Sequence, residues 1–178
     1  NHYSKHHGHS TPMDVEWAKD GRTGDLYIVQ ARPETVRSRQ TKGTTTQTIV
    51  VEHSPSILEG TATGSDAASG VVRVIGNVAE ISQMRPGEIL VADMTDPDWV
   101  PAIRIASAVV TNRGGRTCHA AIVSRELGVP CIVGTNDATV ILKTGDMYTI
   151  DCSTGNTGHI YEGEAIINRI AIDTEHLP

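Results

Sequence analysis

Phenylalanine is absent from the sequence, and aromatic residues make up only 3% of it. A core built from this chain must therefore rest on aliphatic side chains. Positive charge is also scarce, with a net charge of −6 at neutral pH. That excludes the basic stripe expected of a general nucleic-acid binder. No run approaches the roughly 20 apolar residues that span a membrane. The polar, His-rich start is not a signal peptide, and no Asn-x-Ser/Thr acceptor occurs. Cysteine is limited to Cys118, Cys131 and Cys152, an odd number without paired spacing. This favours a reducing, cytoplasmic setting over a disulfide framework.

The 178 residues suit one ordinary domain, or one domain with a fragment of another. Both ends read as cut from something larger. His2, His6, His7 and His9 form a tract that could bind metal, but no closed ligand set lies nearby, and a polar terminus is the simpler reading. Val15 and Trp17 alternate with Asp14 and Glu16, and Leu26–Gln30 is a second apolar run beyond a turn-rich segment. This predicts a β-hairpin with Glu16 and Gln30 at matching positions. Facing oxygen ligands suit Mg²⁺, although spacing alone equally allows a solvated sheet edge. Residues 37–47 carry no apolar side chain and read as a linker.

From Thr48 onward, strand and helix signals interleave. Ile49–Val51, Val71–Ile75, Ile89–Ala92, Cys131–Val133, Met147–Ile150 and Gly158–Tyr161 read as strands. Gly60, Gly64 and Gly70 read as punctuation of a turn-rich segment. Asn77 caps a short helix, and a second helix begins near Pro97. The fold class is α/β with a strand-rich half.

The stretch richest in chemistry runs from Thr111 to Pro130. The apolar run Ala108–Thr111 reads as a short strand, a Gly-Gly turn in Arg113-Gly114-Gly115-Arg116 follows, and a helix opens at Thr117 or Cys118 and stops at Gly128. His119 falls in the first helical turn. A histidine titrates near 6.5 in model peptides, so a ring nitrogen can act as a nucleophile at cell pH. Helix N-termini attract anions, and glycines let a bulky anion approach the backbone. Arg113 and Arg116 can neutralise charge in phosphoryl transfer, which is mostly positioning and electrostatics. Thr117 can cap the helix or contact phosphate. His119 is thus a candidate phosphoryl carrier. A non-catalytic anion-binding or interaction module fits the same spacing. A cysteine nucleophile at Cys118 fits less well, because adjacent helical residues point about 100° apart.

The segment Gly114-Gly115-Arg116-Thr117-Cys118-His119-Ala120-Ala121-Ile122, with Arg125-Glu126-Leu127-Gly128-Val129-Pro130, resembles the phosphohistidine signature of the phosphoenolpyruvate-utilising enzymes. Cysteine before the histidine is similar to the phosphoenolpyruvate synthases. Pyruvate phosphate dikinase and Enzyme I-type phosphotransferases, the related alternatives, typically carry serine there. Asp93-Met94-Thr95-Asp96-Pro97-Asp98-Trp99 is a second matching block. Asp14-Val15-Glu16-Trp17, Asp20-Gly21-Arg22-Thr23-Gly24 and Gln30-Ala31-Arg32-Pro33-Glu34-Thr35 form a third, similar to the end of an ATP-grasp domain.

The resemblance implies that residues 1–36 end the ATP-grasp domain and that 37–47 are a linker. It makes 48–162 a swivelling β/β/α phosphohistidine domain, and 163–178 a linker towards a C-terminal pyruvate/phosphoenolpyruvate barrel. It implies conversion of ATP, pyruvate and water to AMP, phosphoenolpyruvate and phosphate. His119 would carry the phosphoryl group, supported by Arg113, Gly114, Gly115, Arg116 and Thr117. Glu16, Gln30 and Arg32 would contact ATP, with Glu16 and Gln30 holding Mg²⁺. Thr117 would be the target of a regulatory kinase/phosphorylase. The full-length protein would be a homo-oligomer that binds neither nucleic acid nor membrane, and the segment alone would not turn over.

Overall fold

The computed structural model describes residues 13–33 and 44–173. The N-terminal histidine tract and residues 37–43 lie outside the described residues. The chain divides into two compact units between Gly43 and Thr44.

The first unit holds an antiparallel hairpin of β1 (Met13–Lys19) and β2 (Leu26–Pro33). The Asp20 carboxylate accepts the Arg22 and Thr23 amides at 2.7 and 3.2 Å, and Gly24 takes φ +80° to complete the turn. These two amides hold the Asp20 carboxyl below its ordinary range. Glu16 stands opposite Gln30, immediately before a bulge.

The second unit is built on a closed seven-stranded barrel. In chain order its strands are β4 (Ser56–Thr63), β5 (Ala67–Val74), β6 (Ile89–Ala92), β7 (Ala108–Thr111), β8 (Cys131–Val133), β9 (Met147–Asp151) and β10 (Thr157–Glu162). Neighbours run β10-β4-β8-β7-β6-β5-β9, and β9 pairs back to β10. The three pairs from β5 through β8 are parallel. Parallel strands need crossovers, and helices supply two of them. Between β6 and β7 comes a 3-10 turn (Pro97–Trp99) that runs into α1 (Val100–Ile105). Between β7 and β8 comes α2 (His119–Leu127). A short 3-10 helix, Val78–Gln83, joins β5 to β6; its cap Asn77 accepts the Ala79 amide at 3.0 Å. A single turn, α3 (Ala138–Ile141), follows β8.

Every residue of β6 and β7 is buried, which is why these strands read as unbroken apolar runs rather than as alternation. The two faces nonetheless separate with period two. Ile89, Val91, Ala108 and Val110 join Val72, Ile132, Ile150 and Ile160 inside the barrel. Leu90, Ala92 and Val109 pack outward on Trp99, Ala102, Ile103, Ala120 and Ala121 of the helical layer. The core is aliphatic, as the lack of phenylalanine requires.

Three sequence expectations are corrected here. Thr44–Gln47, assigned to a linker, begin strand β3 (Thr44–Val51). Residues 163–178, also assigned to a linker, contain β11 (Ile166–Asp173). β3 and β11 pair antiparallel along their whole length, from Thr44 opposite Asp173 to Val51 opposite Ile166. β-Branched threonine and isoleucine favour the pleated ribbon despite the polar composition. Asp66 ties this ribbon to the barrel, accepting from the Thr48 hydroxyl at 2.8 Å and lying 3.2 Å from the Arg169 guanidinium. Finally, Gly60 and Gly70 lie within β4 and β5 rather than in turns. A Cβ at Gly70 would come within 2.8 Å of the Gly87 carbonyl oxygen, so glycine there marks close backbone approach.

Candidate active site

The site forms at the carboxyl ends of two parallel neighbours of the barrel, β6 and β7. The pairing continues past the strands. The Asn112 amide donates to the Ala92 carbonyl at 3.1 Å and the Arg113 amide to the Asp93 carbonyl at 2.9 Å. Two loops are thereby held side by side, one starting at Asp93 and the other at Asn112.

The second loop leads into α2. Gly114 adopts φ +124°, and a Cβ there would fall 2.7 Å from the Cys118 sulfur, so a larger residue is excluded on both counts. Gly115 needs neither allowance, since a Cβ would meet open space. The Cys118 amide returns to the Gly115 carbonyl at 3.0 Å. Thr117, expected as a possible cap, does not occupy the cap position. Cys118 does, without a side-chain hydrogen bond, so no side chain caps the first turn of α2. At the other end Gly128 takes the left-handed conformation and closes the helix.

His119 is half-buried in the first turn of α2. Its Nδ1 shares a hydrogen bond with the hydroxyl of Thr95 at 3.0 Å, and Thr95 is itself buried. A cleft of about 280 Å³ opens beside the ring, lined by Met94, Thr95, Arg113, Gly114, Cys118, His119 and Ala120. Arg113 is ion-paired with Asp93. This pairing holds the Asp93 carboxyl below its ordinary range and raises the Arg113 guanidinium. The Asn112 side chain, buried, donates to Thr139 Oγ1 at 2.7 Å and accepts the Thr139 amide at 3.0 Å. It also reaches Asp93 at 3.4 Å.

Of the expected residues, Arg113, Gly114 and His119 line one cleft, while Gly115, Arg116 and Thr117 form the exposed turn before the helix. Thr95, Asp93 and Asn112 carry no assigned role from spacing. The signal available for them was a polar residue just past each of two buried apolar strands. Cys131 and Cys152 are buried in the core, and burial pushes both thiols up to about 12, which rules out a thiolate role at neutral pH. Gln30 is exposed on the hairpin; the Glu16 and Arg32 side chains lie outside the described residues. Among the described residues, no group of three His, Cys, Asp or Glu side chains is placed to hold a metal ion. No helix among them is long and apolar enough to cross a membrane.

Comparison with known proteins accords with this geometry. The family model of the PEP-utilising enzyme mobile domain matches residues 84–155, which contain both loops and α2. The model of the pyruvate phosphate dikinase AMP/ATP-binding domain matches residues 1–53. That match runs into β3, which the structure pairs with β11 in the second unit. Phosphoenolpyruvate synthase of Pseudomonas aeruginosa is 54% identical over 90% of this chain and 20% of the relative. That of Synechocystis is 51% identical over 98% of this chain and 21% of the relative. That of Escherichia coli is 53% identical over 88% of this chain and 19% of the relative. The chain spans about a fifth of the length of these curated relatives.

Proposed function

We propose that the chain is the phosphoryl-carrier segment of a phosphoenolpyruvate synthase, a reading supported by its similarity to the PEP-utilising enzyme mobile domain and to the phosphoenolpyruvate synthases of Pseudomonas aeruginosa and Synechocystis. The whole enzyme would convert ATP, pyruvate and water to phosphoenolpyruvate, AMP and phosphate. The observation that carries this reading is the placement of His119, in the first turn of α2, with Nδ1 bonded to Thr95 at 3.0 Å beside an open cleft. With Nδ1 engaged, Nε2 is the nitrogen left to attack phosphorus. It must then hold a lone pair, so the proton sits on Nδ1 and is donated to the Thr95 hydroxyl. His119 would accept the β,γ-pyrophosphoryl group of ATP, lose the terminal phosphate to water, and pass the remaining phosphoryl group to pyruvate. Arg113 would balance charge on that group from the cleft wall. The uncapped first turn of α2 and the exposed Arg116 and Thr117 would meet the incoming phosphates.

The hairpin would contribute the edge of the nucleotide site. The register sets Glu16 opposite Gln30, two residue types that carry the oxygen donors a hard divalent cation takes, with the remaining ligands from the nucleotide and from elsewhere in the enzyme. Mg²⁺ held there would neutralise charge on the ATP phosphates, and Arg32 would contact them. Further domains of the same polypeptide, a nucleotide-binding domain and a pyruvate site, complete the cycle in this reading. The unpaired cysteines suit a reducing, cytoplasmic setting. Thr117, exposed two residues before the histidine, is accessible to a regulatory kinase. A phosphate there would repel the nucleotide, and mass spectrometry of cellular protein that never finds it modified would remove this assignment.

The test is to label the full-length protein with β-labelled ATP. Acid-labile, alkali-stable label that disappears in His119→Ala is the expected result; undiminished label in that variant would overturn the reading. AMP release without a requirement for phosphate separates a synthase from a dikinase.

A further inference from the structure

We propose that Asp93 is a positioning residue that presents Arg113 to the phosphoryl group on His119. This rests on the phosphohistidine reading above. Two arginines flank the glycine pair, and the structure treats them differently. Among the described residues, no hydrogen bond or ion pair holds Arg116. Arg113 is exposed, yet it is fixed at both ends. Its backbone amide bonds the Asp93 carbonyl at 2.9 Å and its guanidinium pairs with the Asp93 carboxylate.

The carboxylate is anchored in turn. Asn112 reaches its other oxygen at 3.4 Å, and both polar atoms of the buried Asn112 side chain bond Thr139 at the start of α3. A chain of contacts thus runs from the first turn of α3 through Asn112 and Asp93 to a guanidinium at the cleft wall. Asp93 follows β6 directly and Arg113 follows β7, and these strands are locked in parallel register with Ala92 opposite Thr111. The Asp93 carboxylate stands outside the residues that line the cleft, whereas Arg113 is among them. Asp93 therefore acts on the reaction through the arginine.

Such an anchor serves phosphoryl transfer by positioning. A long, exposed side chain loses rotamer entropy whenever it must meet the phosphoryl group. Holding it beforehand removes that loss from the transfer step. The pairing also spares Arg113 from standing uncompensated before the group arrives.

The experiment follows single-turnover formation of labelled phosphohistidine in the full-length protein by rapid quench. Asp93→Asn, Arg113→Ala, the double variant, Asp98→Asn and His119→Ala are compared. Asp98 is an exposed carboxylate in the 3-10 turn that follows this loop, so Asp98→Asn controls for the loss of any nearby negative charge. Asp93→Asn should slow labelling on the order of 10- to 100-fold, the cost of misplacing a catalytic partner by about an ångström. Asp98→Asn should match the wild type. The double variant should be no slower than Arg113→Ala alone. That non-additivity is a readout that a merely structural Asp93 would not give. Unchanged melting of Asp93→Asn keeps folding out of the comparison. The proposal is overturned if Asp93→Asn labels at the wild-type rate or faster, or if its loss multiplies with that of Arg113→Ala. Label that persists in His119→Ala is a separate outcome and removes the underlying reading instead.

Discussion

Gly158 and Gly60 face each other across β10 and β4, and together they leave the space that Ile132 of β8 fills. A Cβ at Gly158 would lie 2.5 Å from Ile132 Cγ1 and 2.6 Å from its Cδ1. A Cβ at Gly60 would lie 2.7 Å from Ile132 Cγ2 and 2.8 Å from the Val133 carbonyl oxygen. Ile132 is fully buried inside the barrel. Gly158→Ala therefore overpacks the interior and should cost about 1–3 kcal/mol. Ile132→Ala removes Cγ1, Cγ2 and Cδ1 and should cost about 2–5 kcal/mol, as transfer free energy plus a cavity. Combined, the new methyl group enters the space vacated and the clash is gone, so the double variant should be more stable than the sum predicts by about 2 kcal/mol. Urea unfolding of this chain, with the four members of the cycle compared at constant m-value, reads that coupling directly. Additive losses, within about 0.5 kcal/mol, would refute the claim that glycine is present to admit Ile132. The result bears on the site, because β8 leads into Thr135, whose amide and hydroxyl both bond the Thr111 carbonyl at 3.2 and 3.0 Å at the base of the loop that carries Arg113 and Gly114.

Thr95→Val keeps the shape of a buried side chain while removing the partner of His119 Nδ1. Single-turnover labelling of His119 should slow by roughly 10-fold or more, with the melting temperature nearly unchanged; an unchanged rate would show that the hydrogen bond does not orient the ring. The Glu88 carboxylate, nearly buried, meets Arg73 through two hydrogen bonds of 2.6 and 3.0 Å and accepts the Arg85 amide at 2.9 Å. Arg73 first, and the Arg85 amide with it, holds its pKa below the ordinary carboxylate value. A depressed folded-state pKa contributes stability that is present above the unfolded value and lost as pH falls through the folded one. Glu88→Gln should lower stability at pH 7 by about 2 kcal/mol, because a charged bond is lost and Arg73 is left uncompensated. The difference between variant and wild type should shrink below about pH 4.5, and a difference that persists undiminished at lower pH would show that packing, not charge, links these residues.

The sequence reading recovered the strand–turn–helix around His119 because its signals are local. An apolar run, a glycine that must adopt φ +124°, and a terminal glycine in the left-handed conformation each act within a few residues. The hairpin register that sets Glu16 against Gln30 was legible for the same reason. What escaped depends on pairing between distant segments. β3 and β11 look polar or unremarkable alone, and their pairing joins the two ends of the second unit across more than a hundred residues. A composition reading that equates threonine-rich with linker misses β-branching, which favours a ribbon once a partner strand exists.

The partners of His119 and Arg113 were hidden in the same way. Thr95 and Asp93 lie 24 and 20 residues upstream of the side chains they hold, beyond the reach of any helical or strand period. What joins them is the parallel register of β6 and β7, which sets Ala92 beside Thr111 and so makes neighbours of the first polar residues after each strand. The buried runs Ile89–Ala92 and Ala108–Thr111 were both visible in the sequence. In an α/β fold, two such runs separated by one helix imply a parallel pair. That pairing brings together the polar residues that follow them, Asp93 and Thr95 after one strand and Asn112 and Arg113 after the other. That rule would have brought Asp93 and Thr95 into view beside Arg113 and His119. Reading each motif as a separate block could not, because the geometry that joins them is a property of the pair of strands and of neither loop.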